Sequence, residues 1–241
     1  MAEERVDKSL SSTGRWSRKE VKNLIRQGRV KAGDKVVLRP EEKYDLERCV
    51  LFVNGEAVNW QAQTYLMLYK PAGVLSATED RRQKTVLDLL PDYLRRRGLF
   101  PVGRLDKDTT GLLLLTDDGQ LAHDLLSPKK HVDKVYLARV EGHVTEEDRI
   151  VLAEGMVLED GLRCLPANLE AIGDGQRCLV TLHEGKYHQV KRMLAARGKP
   201  VLELKRLSMG PLTLDEGLEP GQWRFLTPEE VAQCKSCVDK E

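Results

Sequence analysis

The 241-residue sequence has little of several features that mark particular protein classes. Its longest uninterrupted hydrophobic runs are five residues, at positions 49–53 and 65–69, whereas a membrane-spanning helix needs about 18. The first residues are rich in charge and no hydrophobic stretch follows them, so no secretory signal is predicted. Cysteine is scarce, with five scattered residues, which predicts free thiols in a reducing compartment. We therefore expect a soluble, cytoplasmic protein that binds no membrane.

An excess of charge of one sign is also lacking. The 39 basic and 38 acidic residues leave a net charge of +1, which excludes a uniformly basic nucleic-acid coat and an acidic tail protein. The basic residues are nevertheless unevenly placed, because positions 5–31 hold nine cations and only two acids. Such a local concentration of basic charge indicates a polyanionic partner.

This basic segment is predicted to contain a short amphipathic helix. Ser17 and Glu20 have the spacing of a capping box, and Gly28 suits the position just after the last turn. Three hydrophobic residues at helical spacing predict the buried face: Val21, Leu24 and Ile25. Three basic residues occupy another side, which we call the basic ridge: Arg18, Lys22 and Arg26.

The remaining pattern predicts an α+β fold with a mixed sheet. Strands are predicted at residues 36–38, 50–53, 65–69, 112–116, 135–140 and 178–182. Helical segments are predicted at residues 85–90, at residues 187–197 and after Thr227. These elements follow one another without a regular βαβ rhythm. We predict a small domain at residues 1–60, a linker at 59–63 and a larger domain at 61–241.

Two charged segments are the candidates for chemistry. The first, Gly-Arg-Leu-Asp-Lys-Asp-Thr-Thr-Gly at residues 103–111, lies between hydrophobic segments that form a rigid support. The second, residues 184–193, opens a predicted helix on which His188, Lys191 and Arg192 share a face. Taken alone, each pattern is more typical of a solvated surface. Cys234 and Cys237 fall in a predicted C-terminal tail without a second ligand pair, so no metal site is predicted.

The order of these segments resembles the pseudouridine synthases of the small-subunit ribosomal RNA type, the RsuA group. Residues 103–119 resemble the family's signature, and residues 68–74, which contain Lys-Pro-Ala-Gly, resemble its strand-then-KPxG segment. Other parts resemble later motifs and C-terminal strands: residues 134–136, 184–193, 206–214 and 218–226. Residues 5–8, 17–18 and 28–30 are similar to the S4-like RNA-binding domain that precedes the catalytic domain in this group.

The resemblance implies roles for particular residues. Asp106 takes the position of the catalytic aspartate, Tyr136 that of the tyrosine stacked on the target base, and Lys191 that of the cation paired with the aspartate. Further substrate contacts are expected from Arg104, Lys186, His188, Gln189 and Arg192. RNA contacts of the S4-like domain are expected from Arg5, Lys8, Arg18, Lys19, Lys22, Arg26 and Arg29. The family uses no metal and no organic cofactor, so none is expected, and the expected state is a monomer.

The family's reaction explains why these residue types belong together. It breaks the N1–C1′ bond of uridine, turns the uracil and joins C5 to C1′. A carboxylate suits this chemistry as nucleophile or base, and in a dry pocket it needs an opposing cation within about 4–6 Å. Tyr136 offers a stacking surface and a hydroxyl for the proton that leaves C5. Whether Asp106 attacks the sugar, adds to the uracil ring or removes a proton is left open by the sequence.

Alternative functions follow from the same residues. The first interpretation is an isomerase that acts on 16S ribosomal RNA at a uridine-516 type of site. It is preferred because the sequence of residues 187–191 resembles that of the small-subunit enzymes. Large-subunit (23S) enzymes and a non-catalytic ribosome-associated RNA-binding factor are alternatives; the intact Arg-Leu-Asp loop speaks against the latter. A hydrolase built on Asp106 and Asp108 is disfavoured, because side chains two residues apart in an irregular loop are expected to point in opposite directions.

Overall fold

The computed structural model describes residues 3–46, 48–58, 60 and 62–239. The chain divides into two compact units, Met1–Thr64 with Leu90–Leu99, and Tyr65–Leu89 with Phe100–Glu241. The division lies close to the predicted boundary at residue 60, whereas the predicted linker falls partly outside the described residues, at positions 59 and 61. Within the described ranges, no helix combines the length and hydrophobicity needed to cross a membrane.

The first unit differs from the predicted small domain because it includes residues 90–99. Gly14 approaches the backbone of Tyr93 so closely that an added Cβ would lie 1.7 Å from the Tyr93 carbonyl oxygen. Arg15 also places its guanidinium 5.9 Å from the centre of the Tyr93 ring. These contacts join segments almost eighty residues apart, so no local sequence pattern signals them.

In its described residues, the first unit contains three helices and short strands around its own core. Its helices are α1 (Val6–Ser12), α2 (Arg18–Arg26) and α3 (Asp92–Arg95). Its strands are β1 (Glu4–Arg5), β2 (Val30–Ala32), β3 (Lys35–Val36), β4 (Lys43–Tyr44), β5 (Leu51–Val53) and β6 (Glu56–Val58). Strands β3, β2, β5 and β6 form one sheet in that order, and β1 pairs with β4. The β5–β6 hairpin turns at Asn54 and Gly55, which both have positive φ, as Asn-Gly hairpins require.

Helix α2 confirms the predicted basic helix. Ser17 caps it and forms the capping box with Glu20, and Gly28 follows its end with φ of 67°. The predicted apolar residues are all buried in the core of the first unit: Val21, Leu24 and Ile25. The basic ridge is exposed along the helix.

The second unit is built on a nine-stranded mixed sheet. The strands of the second unit are β7 (Tyr65–Lys70), β8 (Phe100–Pro101), β9 (Thr110–Thr116), β10 (Lys134–Val140), β11 (Met156–Val157), β12 (Arg163–Cys164), β13 (Asn168–Ile172), β14 (Arg177–Leu182), β15 (Val201–Met209), β16 (Leu212–Thr213) and β17 (Trp223–Phe225). All of them except β11 and β12 belong to the nine-stranded sheet, in which β8 pairs with β9 and β16 with β15. Its helices are α4 (Gly119–Leu126), α5 (Glu146–Glu154), α6 (Gln189–Ala196) and α7 (Pro228–Val238), with 3₁₀ turns at Val86–Leu89 and Pro128–Lys130.

The order of the strands places β15 and β9 in the middle of the sheet, and the first charged segment runs directly into β9. The main path is β13-β14-β10-β15-β9-β7-β17, and β11 and β12 pair separately. Strands β15 and β9 are parallel, whereas their other neighbours are antiparallel. Four consecutive leucines of β9, residues 112–115, are fully buried, as predicted for a strand covered on both faces. The mixed sheet confirms the predicted α+β class.

Two local predictions were wrong in detail. Helix α6 begins at Gln189 rather than Tyr187, because His188 adopts a left-handed conformation with φ of 51° and ends the preceding turn. Cys234 does not lie in a tail: it is fully buried on α7, where it packs in the core of the second unit. Hydrophobic packing of α7 buries a thiol that its position in the sequence placed near solvent.

Candidate active site

The loop that carries Asp106 is held rigidly between β8 and β9. Its end glycines have the positive φ expected of them, 77° at Gly103 and 106° at Gly111. At Gly111 a Cβ would lie 2.2 Å from the carbonyl oxygen of Arg206 on β15, so the close approach of the two strands requires glycine. Ser76 accepts a hydrogen bond from Leu105 N–H and donates one to its carbonyl oxygen. The carboxylate of Asp106 is therefore presented from a fixed backbone.

Lys70 is a site residue that sequence reasoning missed. It ends β7, is completely buried, and its ammonium donates to three carbonyl oxygens, those of Pro71, Lys107 and Thr109. Burial lowers the pKa of Lys70 to about 8, although nearby carboxylates act in the opposite direction. The signal in the sequence was a lysine at the end of an otherwise apolar strand, directly before a turn. Its hydrogen bonds tie the Asp106 loop to the central sheet.

The turn before α6 is organised by a buried carboxylate. Glu184 accepts hydrogen bonds from Leu165 N–H at 2.9 Å and from the Gln189 amide at 2.6 Å, and it pairs with Lys186 at 2.9 Å. Burial alone would raise the pKa of Glu184, but these partners outweigh it and lower the pKa. Gln189 also accepts from Lys186 N–H. The network fixes the chain reversal that brings His188 and Lys191 towards the Asp106 loop.

Asp106, His188 and Lys191 meet in the folded protein. The Lys191 ammonium lies 3.4 Å from one carboxylate oxygen of Asp106, and His188 Nε2 lies 3.4 Å from the other. The same ammonium lies 2.6 Å from Asp108, and this hydrogen bond lowers the pKa of Asp108. Both aspartates thus face one lysine, which corrects the expectation that their side chains point in opposite directions.

Tyr136 and Asp106 line one small cavity of about 60 Å³. Tyr136 lies on β10, and the Asp106 loop precedes β9, so the two residues approach across β15, which separates these strands in the sheet. Five further residues with predicted or structural roles line the same cavity: Arg104, Thr109, Lys186, His188 and Gln189. A carboxylate, a guanidinium group and a largely buried aromatic ring therefore line the same small cavity.

Some of the predicted substrate contacts are engaged elsewhere. Arg192 pairs with Asp160 at 2.6 Å and is not among the residues that line the cavity. Lys186 and Gln189 line the cavity, but Lys186 forms an ion pair with Glu184 and the Gln189 amide donates a hydrogen bond to it. Arg104 lies exposed at the cavity. Of the three residues expected to share one face of the helix, Lys191 and His188, which directly precedes α6, contact Asp106, whereas Arg192 does not.

Some of the residues predicted to contact RNA in the first unit are already bound to neighbouring side chains, whereas others are exposed. Arg5 forms an ion pair with Asp7 and Lys8 forms one with Glu4, while the guanidinium of Arg29 donates to Asn54. The basic ridge of α2 and the neighbouring Lys19 are exposed. No cluster of three or more His, Cys, Asp or Glu side chains suited to a metal occurs in the described part of the chain.

Comparison with known proteins relates the chain to one family. A family model described as RNA pseudouridylate synthase matches residues 64–196. An uncharacterized RNA pseudouridine synthase of Bacillus subtilis is 48% identical to this chain, and the match covers 94% of the chain and 96% of the relative. A crystal structure described as a pseudouridylate synthase superimposes with a TM-score of 0.68 at 37% identity, covering 95% of this chain and 99% of that one.

Relatives whose names specify a ribosomal subunit fall into two groups. The ribosomal small subunit pseudouridine synthase A of Vibrio cholerae is 42% identical, with 95% of this chain and 98% of the relative covered. The ribosomal large subunit pseudouridine synthase B of Bacillus subtilis is 38% identical, with 98% of this chain and 97% of the relative covered.

Proposed function

This chain belongs to the RNA pseudouridylate synthase family, and from that premise we propose that it converts a uridine of 16S ribosomal RNA, of the uridine-516 type, to pseudouridine. The observation that carries the catalytic part of the proposal is the pairing of Asp106 with Lys191 beside the Tyr136 cavity. The small-subunit target is supported by the identity to the Vibrio cholerae enzyme. The large-subunit relative makes 23S ribosomal RNA the second candidate.

In the proposed mechanism Asp106 acts on the bound uridine as an ionised carboxylate. Lys191 keeps a positive charge 3.4 Å from it, which opposes the cost of desolvating the carboxylate when a base fills the cavity. The N1–C1′ bond breaks, the uracil turns, C5 bonds to C1′, and the proton leaves C5 as N1 gains one. An attack on the sugar, an addition to the ring and a proton abstraction all require the carboxylate at this one location.

The ring of Tyr136 supplies the surface on which the base lies. It is 8% exposed, so the base must leave its stack in the RNA to reach it, at a cost of a few kcal/mol. The Tyr136 hydroxyl relays the C5 proton: it takes up the proton from C5 while its own proton passes on to solvent, from which N1 is protonated. The first unit, which we propose to be S4-like, holds the RNA through the basic ridge.

Release of tritium from C5-labelled transcripts tests the proposal directly. The wild-type enzyme should release tritium from a 16S transcript, and Asp106→Asn should release none while it still binds the RNA, because the amide is neither a nucleophile nor a base. Asp124→Asn on α4 is the matched control, since its carboxylate pairs with Gln120 on the surface, and it should retain the wild-type rate.

The same assay decides between the two targets. Release from the 23S transcript alone would transfer the proposal to the large subunit. Full turnover by Asp106→Asn would remove this residue from catalysis, and an absence of release from both transcripts and from assembled subunits would refute the proposed reaction.

A further inference from the structure

A second, larger groove lies beside the Asp106 cavity. Its volume is about 460 Å³, and its lining includes four cations and two acids: Arg139, Arg177, Lys191, Lys205, Asp108 and Glu203. Lys191 belongs to this groove, and its ammonium also reaches Asp106, so the groove continues directly from the proposed catalytic centre. A strand of RNA that places one nucleotide in the cavity has this groove as an adjoining path.

Two arginines in the groove are placed against each other. Arg139 on β10 is the register partner of Arg177 on β14, and both side chains are exposed. Like charges directly opposite across an antiparallel pair destabilise a sheet. Within the described ranges, Arg177 forms no ion pair or side-chain hydrogen bond with an acid. An anion between the two guanidinium groups would turn this repulsion into attraction, and guanidinium groups bind phosphate with two parallel hydrogen bonds.

The third strand supplies an acid and a further cation. Glu203 on β15 is the other register partner of Arg139 and pairs with it at 2.6 Å, with 70% of its side chain exposed. Lys205, two residues on, holds its ammonium 4.6 Å from the centre of the Tyr69 ring. A phosphate entering the groove therefore meets Arg177 and Lys205 directly and competes with Glu203 for Arg139.

We propose that this groove binds the phosphate backbone of the RNA next to the target nucleotide, through Arg139, Arg177 and Lys205. The proposal rests on the proposed function, because it takes RNA as the polyanion. Glu203 lowers the affinity by occupying Arg139 in the free enzyme. Phosphate contacts position an RNA without reading its sequence, so the groove sets the register of the strand on the enzyme.

Salt-dependent binding of a fluorescein-labelled oligouridylate tests the proposal without requiring catalysis. For single strands the slope of log K against log salt changes by about 0.7 per phosphate neutralised. The full-length Arg139→Gln/Arg177→Gln variant should therefore show a slope smaller by about 1.4 between about 50 and 200 mM salt. The matched control is Arg149→Gln/Lys129→Gln, which removes the same charge from exposed positions outside the groove and should keep the wild-type slope.

A variant that binds RNA more tightly distinguishes phosphate binding by the groove from damage to the fold, because damage would weaken binding. Glu203→Gln releases Arg139 and should bind the oligouridylate about two- to fivefold more tightly, the effect expected for loss of one exposed ion pair. A wild-type slope in the double arginine variant, or Glu203→Gln binding no more tightly than wild type, would overturn the proposal. With labelled 16S transcript, the double variant should lose activity mainly through KM. If the wild type released no tritium from either transcript or from assembled subunits, the proposed reaction would be refuted, while the oligouridylate titrations would still decide whether the groove binds phosphate.

Discussion

Asp106 and Asp108 both contact Lys191, but they differ in solvent exposure and therefore in how well each can act on a bound base. Asp108 lies nearer to Lys191, at 2.6 Å against 3.4 Å for Asp106, but its side chain is 75% exposed whereas that of Asp106 is 24% exposed. Water screens an exposed charge and competes for its hydrogen bonds. Asp106 also lines the cavity with Tyr136, and Asp108 does not. The more enclosed carboxylate is therefore the better placed to act on a bound base.

A single substitution can separate the contribution of the Tyr136 hydroxyl to the reaction rate from the contribution of its ring to binding. Tyr136→Phe keeps the ring and removes the oxygen, so we expect RNA binding to stay within about twofold while the single-turnover rate falls by about 10²-fold or more, the usual contribution of a general acid or base. Rapid-quench measurement of tritium release at saturating enzyme gives this rate.

A tyrosine outside the cavity provides the control for that measurement. Tyr187 is exposed and stacks on His188 with ring centres 3.8 Å apart, and Tyr187→Phe should leave the rate unchanged. If Tyr136→Phe also turns over at the wild-type rate, its hydroxyl takes no part in proton transfer and only the stacking role survives.

The turn between β14 and α6 shows how an element positions a site at a distance. Glu184 touches neither Asp106 nor Lys191; it binds Leu165 N–H, Lys186 and Gln189. Those contacts set the conformation from which His188 takes its left-handed φ and Lys191 its place on the first turn of α6. Helical periodicity predicts the faces of α6. It does not predict this network, which joins the residue after β12, the turn and the helix.

The stability that Glu184 provides should depend on pH in a definite direction. Its pKa is lowered in the folded protein, so its contribution is complete above the ordinary value of 4.5 and is lost as the pH falls through the folded value. Glu184→Gln should reduce the free energy of unfolding at pH 7 by about 1–3 kcal/mol, the cost of breaking buried charged hydrogen bonds.

Urea denaturation at several pH values checks this expectation. The deficit of Glu184→Gln relative to wild type should begin to shrink below pH 4.5, where the unfolded carboxyl is protonated, and the charge-dependent part should be lost as the pH falls through the lower folded pKa. Glu159→Gln, at an exposed position, should stay within about 0.5 kcal/mol of wild type. A deficit that is constant with pH would show that packing, rather than charge, accounts for the role of Glu184.

At the scale of the whole molecule, the proposed functions are divided between the two units. The second unit contains the Asp106 cavity and the neighbouring groove, and the first unit contains α2 with its exposed basic ridge. The nearly neutral total charge hides this division, because the acids that offset the ridge lie elsewhere in the chain. We therefore expect substitutions in the cavity to change the reaction rate and substitutions in the basic ridge to change the affinity for RNA.

Neutralising the basic ridge tests that division. The Arg18→Gln/Lys22→Gln/Arg26→Gln variant should bind ribosomal RNA more weakly, with a slope of log K against log salt reduced by about 2, since three phosphate contacts are lost. At saturating RNA its single-turnover rate should match wild type, because no ridge residue lines the cavity. Filter binding over a salt series measures the slope, and an unchanged slope would exclude the ridge as a docking surface.

The sequence by itself determined the features that depend on near neighbours along the chain. The capping box and apolar face of α2, the Asn54-Gly55 hairpin and the buried strand at residues 112–116 all follow from local spacing and conformational preference. The signature around Asp106 and the motif around Lys191 were likewise readable, because each is a continuous segment.

Only the tertiary structure decided which of these segments meet. The placement of residues 90–99 in the first unit, the three carbonyl oxygens around Lys70, the sharing of Lys191 by two aspartates and the pairing of Arg139 with Arg177 and Glu203 all join residues distant in the chain. Strand order and register determine such contacts, and they minimise the free energy of the whole sheet rather than of any one segment.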